Sequence, residues 1–391
     1  MADFDEIEDL GQLESWLKTQ DPRMSRAIAA RAVLRSLPAA MRVVDQGFAI
    51  ISGKGLLLSC FRATLITGVA STCPTTVMTQ VKSAARSARS AALSAALSAL
   101  SARTAGSAAE SAAESAAHSA DSAGRSDAHT AALIAIRSAA KSDSVSAALS
   151  AVFTDATAGT NGLHADLFAS PLWPETNHIG HLLEFWESFS ARPDPDETWA
   201  FWRQWYQGML TGTPMEWDLQ LQVALIDDAV WDQGAEAVAR EIERIRAKFN
   251  LEQEVKQLKE QLLSLQQITA TPKIGDNGGP PLNDPEDIAF QTDLSQIWQR
   301  VEELENEIDS PTPSIDKLNA FADWFQVFFV RAAKYLGAKA DIIFTKGCET
   351  LGIVGTTALI AYFTVTTAAQ NETVHSLPKA ILDVFKSLAG G

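Results

Sequence analysis

Six histidines are the first candidates for metal or acid–base chemistry: His118, His129, His164, His178, His181 and His375. His178 and His181 lie three apart and would share a helical face. A metal needs a third ligand, and Glu175 or Glu184 is the nearest. Pro174 and Gly180 interrupt that helix, which argues against the site. The three cysteines, Cys60, Cys73 and Cys348, form neither a CxxC zinc pair nor a disulfide framework. Arg26, Arg31 and Arg35 stand together on one predicted helix. They could attract an anion, although such a row is more often a solvated face. Gly275-Asp-Asn-Gly-Gly279 could make a backbone anion nest; a flexible hinge is the ordinary reading. No GxSxG, Walker A or GxGxxG motif occurs, and no nucleophile–base pair can be assembled. The expectation is a non-enzymatic protein with no catalytic, cofactor-binding or metal-binding residue.

Charge narrows the classes further. The net charge is −16, and residues 154–319 alone carry 30 acidic against 11 basic side chains. The flanking sections are near neutral. Binding nucleic acid requires a basic face that releases counterions, so no nucleic-acid partner is expected. The acidic middle can also act simply as a solubilising surface. The acidic opening Met1-Ala-Asp-Phe-Asp-Glu6 is unlike the n-region of a signal peptide, and the expected location is the cytoplasm. At 391 residues and 46 % apolar composition, the chain is long enough for two or three domains, each burying a core.

The elements that must position these groups all read as helices, so the expected class is all-α. It would comprise a multi-helix body with Ala-rich helices, coiled-coil segments and a C-terminal apolar section. Region 1–160 opens with Leu10, Leu13, Trp16 and Leu17 on one face, followed by Asp21-Pro22 as stop and restart. A helix over 23–37 ends at Pro38, and 48–70 is an apolar, buried helix. Residues 83–152 are an Ala/Ser tract. Ser83, Ser87, Ser90, Ser94, Ser98 and Ser101 form one stripe, which slips at Gly106 and again after Gly124. The slips predict two or three antiparallel helices packed through small residues.

Region 161–249 holds seven of the ten tryptophans. Trp199, Trp202, Trp205, Tyr206 and Met209 recur at helical spacing, as expected of a packed aromatic core. In region 250–313, Val255, Leu258, Leu262 and Leu265 make one heptad seam and Leu294, Ile297, Val301 and Leu304 a second. Asn250-Leu-Glu-Gln253 resembles a capping box at which the long helix could restart. The two heptad helices could fold back on each other or zip with other subunits, and homo-oligomerisation through these residues is expected.

Region 314–391 begins with an amphipathic helix bearing Leu318, Phe321, Trp324, Phe325, Phe328 and Phe329. Arg331, Lys334, Lys339 and Lys346 follow, then nineteen uncharged residues from Leu351 to Ala369. Nineteen residues of helix span about 28 Å, near the thickness of a bilayer core. Cations and aromatics before the run fit a positive-inside, aromatic-belt arrangement. The insertion candidates are Leu351, Ile353, Val354, Leu359, Ile360, Tyr362, Phe363 and Val365. The alternative is a central helix of a soluble bundle, which would make the protein a scaffold or partner-binding protein with its tail in its own core.

Three features carry a resemblance. One is the helical segment Ala29-Ala-Arg-Ala-Val-Leu-Arg-Ser-Leu-Pro38. The second is the Ala/Ser tract containing Ala-Ala-Arg-Ser at 84–87. The third is Trp202-Arg-Gln-Trp-Tyr206, followed by the loop Gly275-Asp-Asn-Gly-Gly-Pro-Pro281. Together, over about residues 5–310, they resemble an uncharacterised bacterial family, in which a histidine commonly follows the first loop glycine where this chain has Asp276. The resemblance implies a common body with an exchangeable C-terminal section and brings no activity. Proteins organised in that way resemble bacterial conflict or phage-defence effectors. The expectation is a self-associating protein, attached to the inner membrane through its C-terminal section, with an unknown protein partner and no cofactor.

Overall fold

The computed structural model describes residues 7, 9–45, 50–101, 107–124, 128–139, 145–159, 166–173, 180–269, 285–308, 310, 313–325 and 327–328. Every regular element among them is a helix: α1 Leu10–Leu17, α2 Pro22–Asp45, α3 Ile50–Thr72, α4 Met78–Ser101, α5 Ser107–Gly124, α6 Ala128–Ala139, α7 Val145–Gly159, α8 Gly180–Ala191, α9 Ala200–Thr211, α10 Trp217–Ala224, α11 Asp228–Trp231, α12 Ala235–Thr269 and α13 Pro285–Ile308. A further helical stretch covers 315–325. The all-α expectation holds. Two compact units divide the chain, residues 1–242 and 243–391.

Two helices organise the first unit. α2 packs against α3, α5, α6, α7 and α8, and every side chain described from Met24 to Met41 is buried. α5 packs against α2, α3, α4 and α6. Alanine makes this density of neighbours possible: Ala109, Ala112, Ala113, Ala116, Ala117, Ala120 and Ala123 are all buried. A methyl is the only spacer, so helix axes approach closely, and alanine also has the highest helix propensity. The glycine-flanked breaks in the Ala/Ser tract separate α4, α5 and α6. The serine stripe takes opposite roles on its two sides. On α4, Ser83, Ser90 and Ser94 are exposed while Ala85, Ala88, Ala92 and Ala96 are buried. On α5, Ser115, Ser119 and Ser122 are buried, and the Ser115 hydroxyl donates to the Ala135 carbonyl of α6 at 2.7 Å.

α2 does not stop where the sequence suggested. It continues through Pro38 to Asp45. Proline lacks the N–H that would serve the carbonyl four residues back, which is a cost inside a helix. Here that carbonyl, Leu34 O, accepts instead from the Tyr206 hydroxyl at 3.2 Å. α12 likewise runs unbroken through Asn250, where a restart was foreseen. The expected buried helix near 48–70 is α3, whose described side chains from Leu56 to Ser71 are buried apart from Ser59. Its hydroxyls bond back into the helix, Thr64 to Cys60 O at 2.7 Å and Thr67 to Ala63 O at 2.8 Å.

The aromatic helices belong to this same core. On α9, Phe201, Trp202, Trp205, Tyr206 and Met209 are buried. Trp202 stacks on Phe61 of α3 with centroids 4.9 Å apart and meets Trp205 edge-on at 5.7 Å. Such pairs add about 0.5–1.5 kcal/mol each beyond their area burial. The Trp205 indole donates to buried Gln220 at 2.9 Å, and Gln220 in turn donates to Met215 O at 2.7 Å.

In the second unit, Leu251 and Val255 of α12 cluster with Ile297, Val301, Leu304 and Ile308 of α13 and with Leu318, Phe321 and Phe325 of the 315–325 stretch. Lys259 reaches Glu305 at 2.8 and 2.9 Å. The described heptad positions are therefore packed within a single chain. Glu307 closes the turn after α13. Its carboxylate accepts from Ser314 N at 2.5 Å and Lys317 Nζ at 2.7 Å.

Candidate functional site

The most unusual chemistry in the first unit is a pair of guanidinium groups in the core. Arg31 and Arg35 lie one turn apart on α2, 2 % and 1 % exposed, among Ala27, Ile28, Ala32, Val33 and Leu34. α2 is buried on every side from Met24 to Met41, so no solvated face exists for Arg26, Arg31 and Arg35, and their reading as a water-facing row is corrected. Arg26 is buried too, with Nε donating to Ser122 O at 3.1 Å.

Each guanidinium has a defined set of acceptors. Arg31 Nε and Arg35 Nη2 converge on one oxygen, Asp155 Oδ2 of α7, at 2.8 and 2.7 Å. Asp155 is itself 5 % exposed. The remaining Arg31 donors go to main-chain carbonyls of the segment 166–173: Leu167, Ser170 at 3.0 Å and Pro171 at 2.9 Å. Leu172 O accepts from Arg35 Nε at 3.1 Å and Nη2 at 2.8 Å. Arg35 also lies over the Trp173 ring, 5.6 Å from its centroid. Arg35 Nη1 is closed off from solvent and has no hydrogen-bond acceptor among the described residues.

Local structure explains why those carbonyls point inward. Asp166–Ala169 is a single 3-10 turn, too short to satisfy its own acceptors, so its carbonyls need outside donors. The α9 end fixes the segment from its other side. Leu172 N donates to Leu210 O at 3.0 Å. Gly212, at φ +76°, ends α9, and an added Cβ would stand 2.7 Å from Ser170 C. The two arginines therefore clamp α2, α7 and the 166–173 segment together. The charges that hold them are engaged with one another and with main chain rather than presented to a substrate.

A buried arginine on α3 repeats the theme. Arg62 pairs with Asp228 and sits 4.6 Å over the Trp231 ring. Asp228 also accepts from Ser87 of α4 at 2.7 Å. Burial pushes the Cys60 thiol up to about 12 and raises the Tyr206 phenol as well, so both stay protonated at neutral pH and neither supplies a nucleophile.

Of the oligomerisation residues foreseen, Val255, Ile297, Val301 and Leu304 are buried in the second unit's apolar cluster. Leu258, Leu262, Leu265 and Leu294 lie on α12 and α13, but their side chains fall outside the described residues. The insertion residues Leu351, Ile353, Val354, Leu359, Ile360, Tyr362, Phe363 and Val365 also fall outside, as do the Gly275–Pro281 loop, His178 and Glu175. Among the described residues no group of three or more His, Cys, Asp or Glu side chains could hold a metal ion. Asp155 was missed. A lone aspartate within Val145–Gly159, an otherwise small and apolar helix, is the signal that would have found it. No protein-family model, curated protein or solved structure matches this chain.

Proposed function

We propose that this chain is a non-enzymatic, self-associating helical protein whose C-terminal section acts on a membrane, as a bacterial conflict effector would. The observation that carries the reading is the run Leu351–Ala369, nineteen residues without a charge, placed after an aromatic helix and four cations. The body supports a non-enzymatic role. Its buried arginines are engaged in clamping helices, and Cys60 and Tyr206 are held protonated. Self-association rests on the heptad residues Val255, Leu258, Leu262 and Leu265 and Leu294, Ile297, Val301 and Leu304.

One observation favours a second reading, a soluble scaffold that covers its own tail. Lys54–Thr72 has a membrane-like mean hydropathy of 1.3 and yet is mostly buried inside the first unit. The chain thus already hides one helix of that kind. Carbonate extraction of membranes from expressing cells separates the two readings. Under the membrane reading the full chain stays in the pellet, and Ile360→Arg, costing about 2.5–3.5 kcal/mol at the bilayer centre, releases a folded protein to the supernatant. Recovery of the unmutated chain wholly in the supernatant overturns insertion and leaves the scaffold.

A further inference from the structure

The border between the two compact units falls inside a helix. One unit ends at Ile242 and the other begins at Glu243, yet α12 runs from Ala235 to Thr269, and no glycine or proline occurs in that span. The helix contributes to both cores. In the first unit Val238 and Ile242 are fully buried, and Glu236 pairs with Lys54 of α3 at 2.8 Å. In the second, Leu251 and Val255 enter the apolar cluster with Ile297, Val301 and Leu304, and Ala247 packs against it. No side chain from Glu243 to Lys248 is buried. Ion pairs within the helix support that stretch, Arg246 to Glu243 at 2.9 Å and Lys248 to Glu252 at 3.7 Å, and such pairs stabilise a helix only slightly.

Helix geometry leaves the first unit's share incomplete by itself. Residues 235–242 make about two turns, fewer than the roughly 12–15 residues at which an isolated helix becomes marginally stable. The carbonyls of Ala239, Arg240, Glu241 and Ile242 accept from the N–H groups four residues on, those of Glu243, Arg244, Ile245 and Arg246. A helix ending at Ile242 would leave those four carbonyls to find other donors. We infer that α12 couples the stability of the two units: the packing of Leu251 and Val255 holds the helix through 243–246 and so keeps Val238 and Ile242 in the first unit's core. A ligand or partner that tightens the second unit therefore tightens the first, and damage to the second loosens the first.

The test follows thermal unfolding of the full chain by tryptophan fluorescence. Eight of the ten tryptophans lie in residues 1–242, so the signal reports the first unit. Val301→Asp puts a charge into the second unit's cluster and should lower the first unit's midpoint by about 4–8 °C. With Gly-Ser-Gly-Ser inserted between Arg246 and Ala247, the same substitution should shift that midpoint by less than about 1 °C. An unshifted midpoint in the uninterrupted chain, or an equal shift with and without the insertion, overturns the coupling. Should Val301→Asp fail to give soluble protein, hydrogen exchange on the unmutated chain decides the matter. The amides of 243–246 should exchange as slowly as those of 239–242; free exchange at 243–246 between two slow segments overturns the proposal.

Discussion

Tyr206 and Pro38 solve one another's problem. Pro38 cannot serve Leu34 O, and the buried Tyr206 hydroxyl needs an acceptor; the 3.2 Å bond meets both needs. The two residues should therefore be energetically coupled. Tyr206→Phe should cost about 1–3 kcal/mol in the unmutated background, because it strips a donor from a buried carbonyl. In a Pro38→Ala background the restored N–H serves Leu34 O, and the same change should cost less than about 1 kcal/mol. Urea denaturation of the four proteins gives the coupling directly; an identical cost in both backgrounds would contradict it. Asp155 belongs at this scale too. Asp155→Ala leaves two buried guanidiniums without their shared carboxylate and should destabilise the first unit by about 3–5 kcal/mol, read as a fall in the denaturation midpoint. None of these pairings is visible in a sequence, since partners 124 to 172 positions apart meet only through the fold.

Among the elements, what could be read early was the helical period, and what could not was the direction each helix faces. The serines of α4 and α5 obey the same spacing, yet one set meets water and the other meets α6. An Ala/Ser helix has no apolar stripe strong enough to declare its inner face, because alanine and serine differ by little in size. α2 misled for the opposite reason. Its arginines read as a polar face, yet the helix is buried on every side from Met24 to Met41 and Arg26, Arg31 and Arg35 are core groups. Pro38 misled because its penalty is offset by a residue on another helix. Two elements yield tests. Gly212→Ala would impose a φ of +76° on a residue with a side chain and press its Cβ toward the 166–173 backbone; the loss should be about 1–3 kcal/mol, seen as a lowered thermal midpoint. In the second unit, the Lys317 ammonium and the Ser314 N–H hold the Glu307 carboxyl below its ordinary value. A depressed folded pKa adds stability that is fully present above the ordinary glutamate pKa of about 4.3 and is lost as pH falls through the folded value. The second unit should loosen on acidification past that point, and Glu307→Gln should be less stable at neutral pH while losing part of that pH dependence.

For the molecule as a whole, self-association and in-chain packing place different demands on the heptads. Val301 is fully buried beside Val255 and Leu304, so Val301→Asp should unfold the second unit whatever the oligomeric state. Leu258→Asp with Leu262→Asp is the sharper probe of assembly. If these leucines join subunits, sedimentation should show a lower mass for a chain whose first unit keeps its thermal transition. An unchanged mass, or a monomer before mutation, would rule out the seam.

The burial of α3 also has a consequence in time. Its neighbours are synthesised on both sides of it: α2 comes first, α4 and α5 follow, and Trp217 of α10 comes to rest 3.6 Å from the position a Cβ would take at Gly68. At about 5–20 residues per second, the ribosome emits Trp217 roughly 7–30 s after Gly68. Throughout that interval a helix apolar enough to be mistaken for a membrane span leaves the exit tunnel without its full cover. Over the same interval Lys54 and Arg62 stand without Glu236 and Asp228, the carboxylates that pair with them in the folded unit.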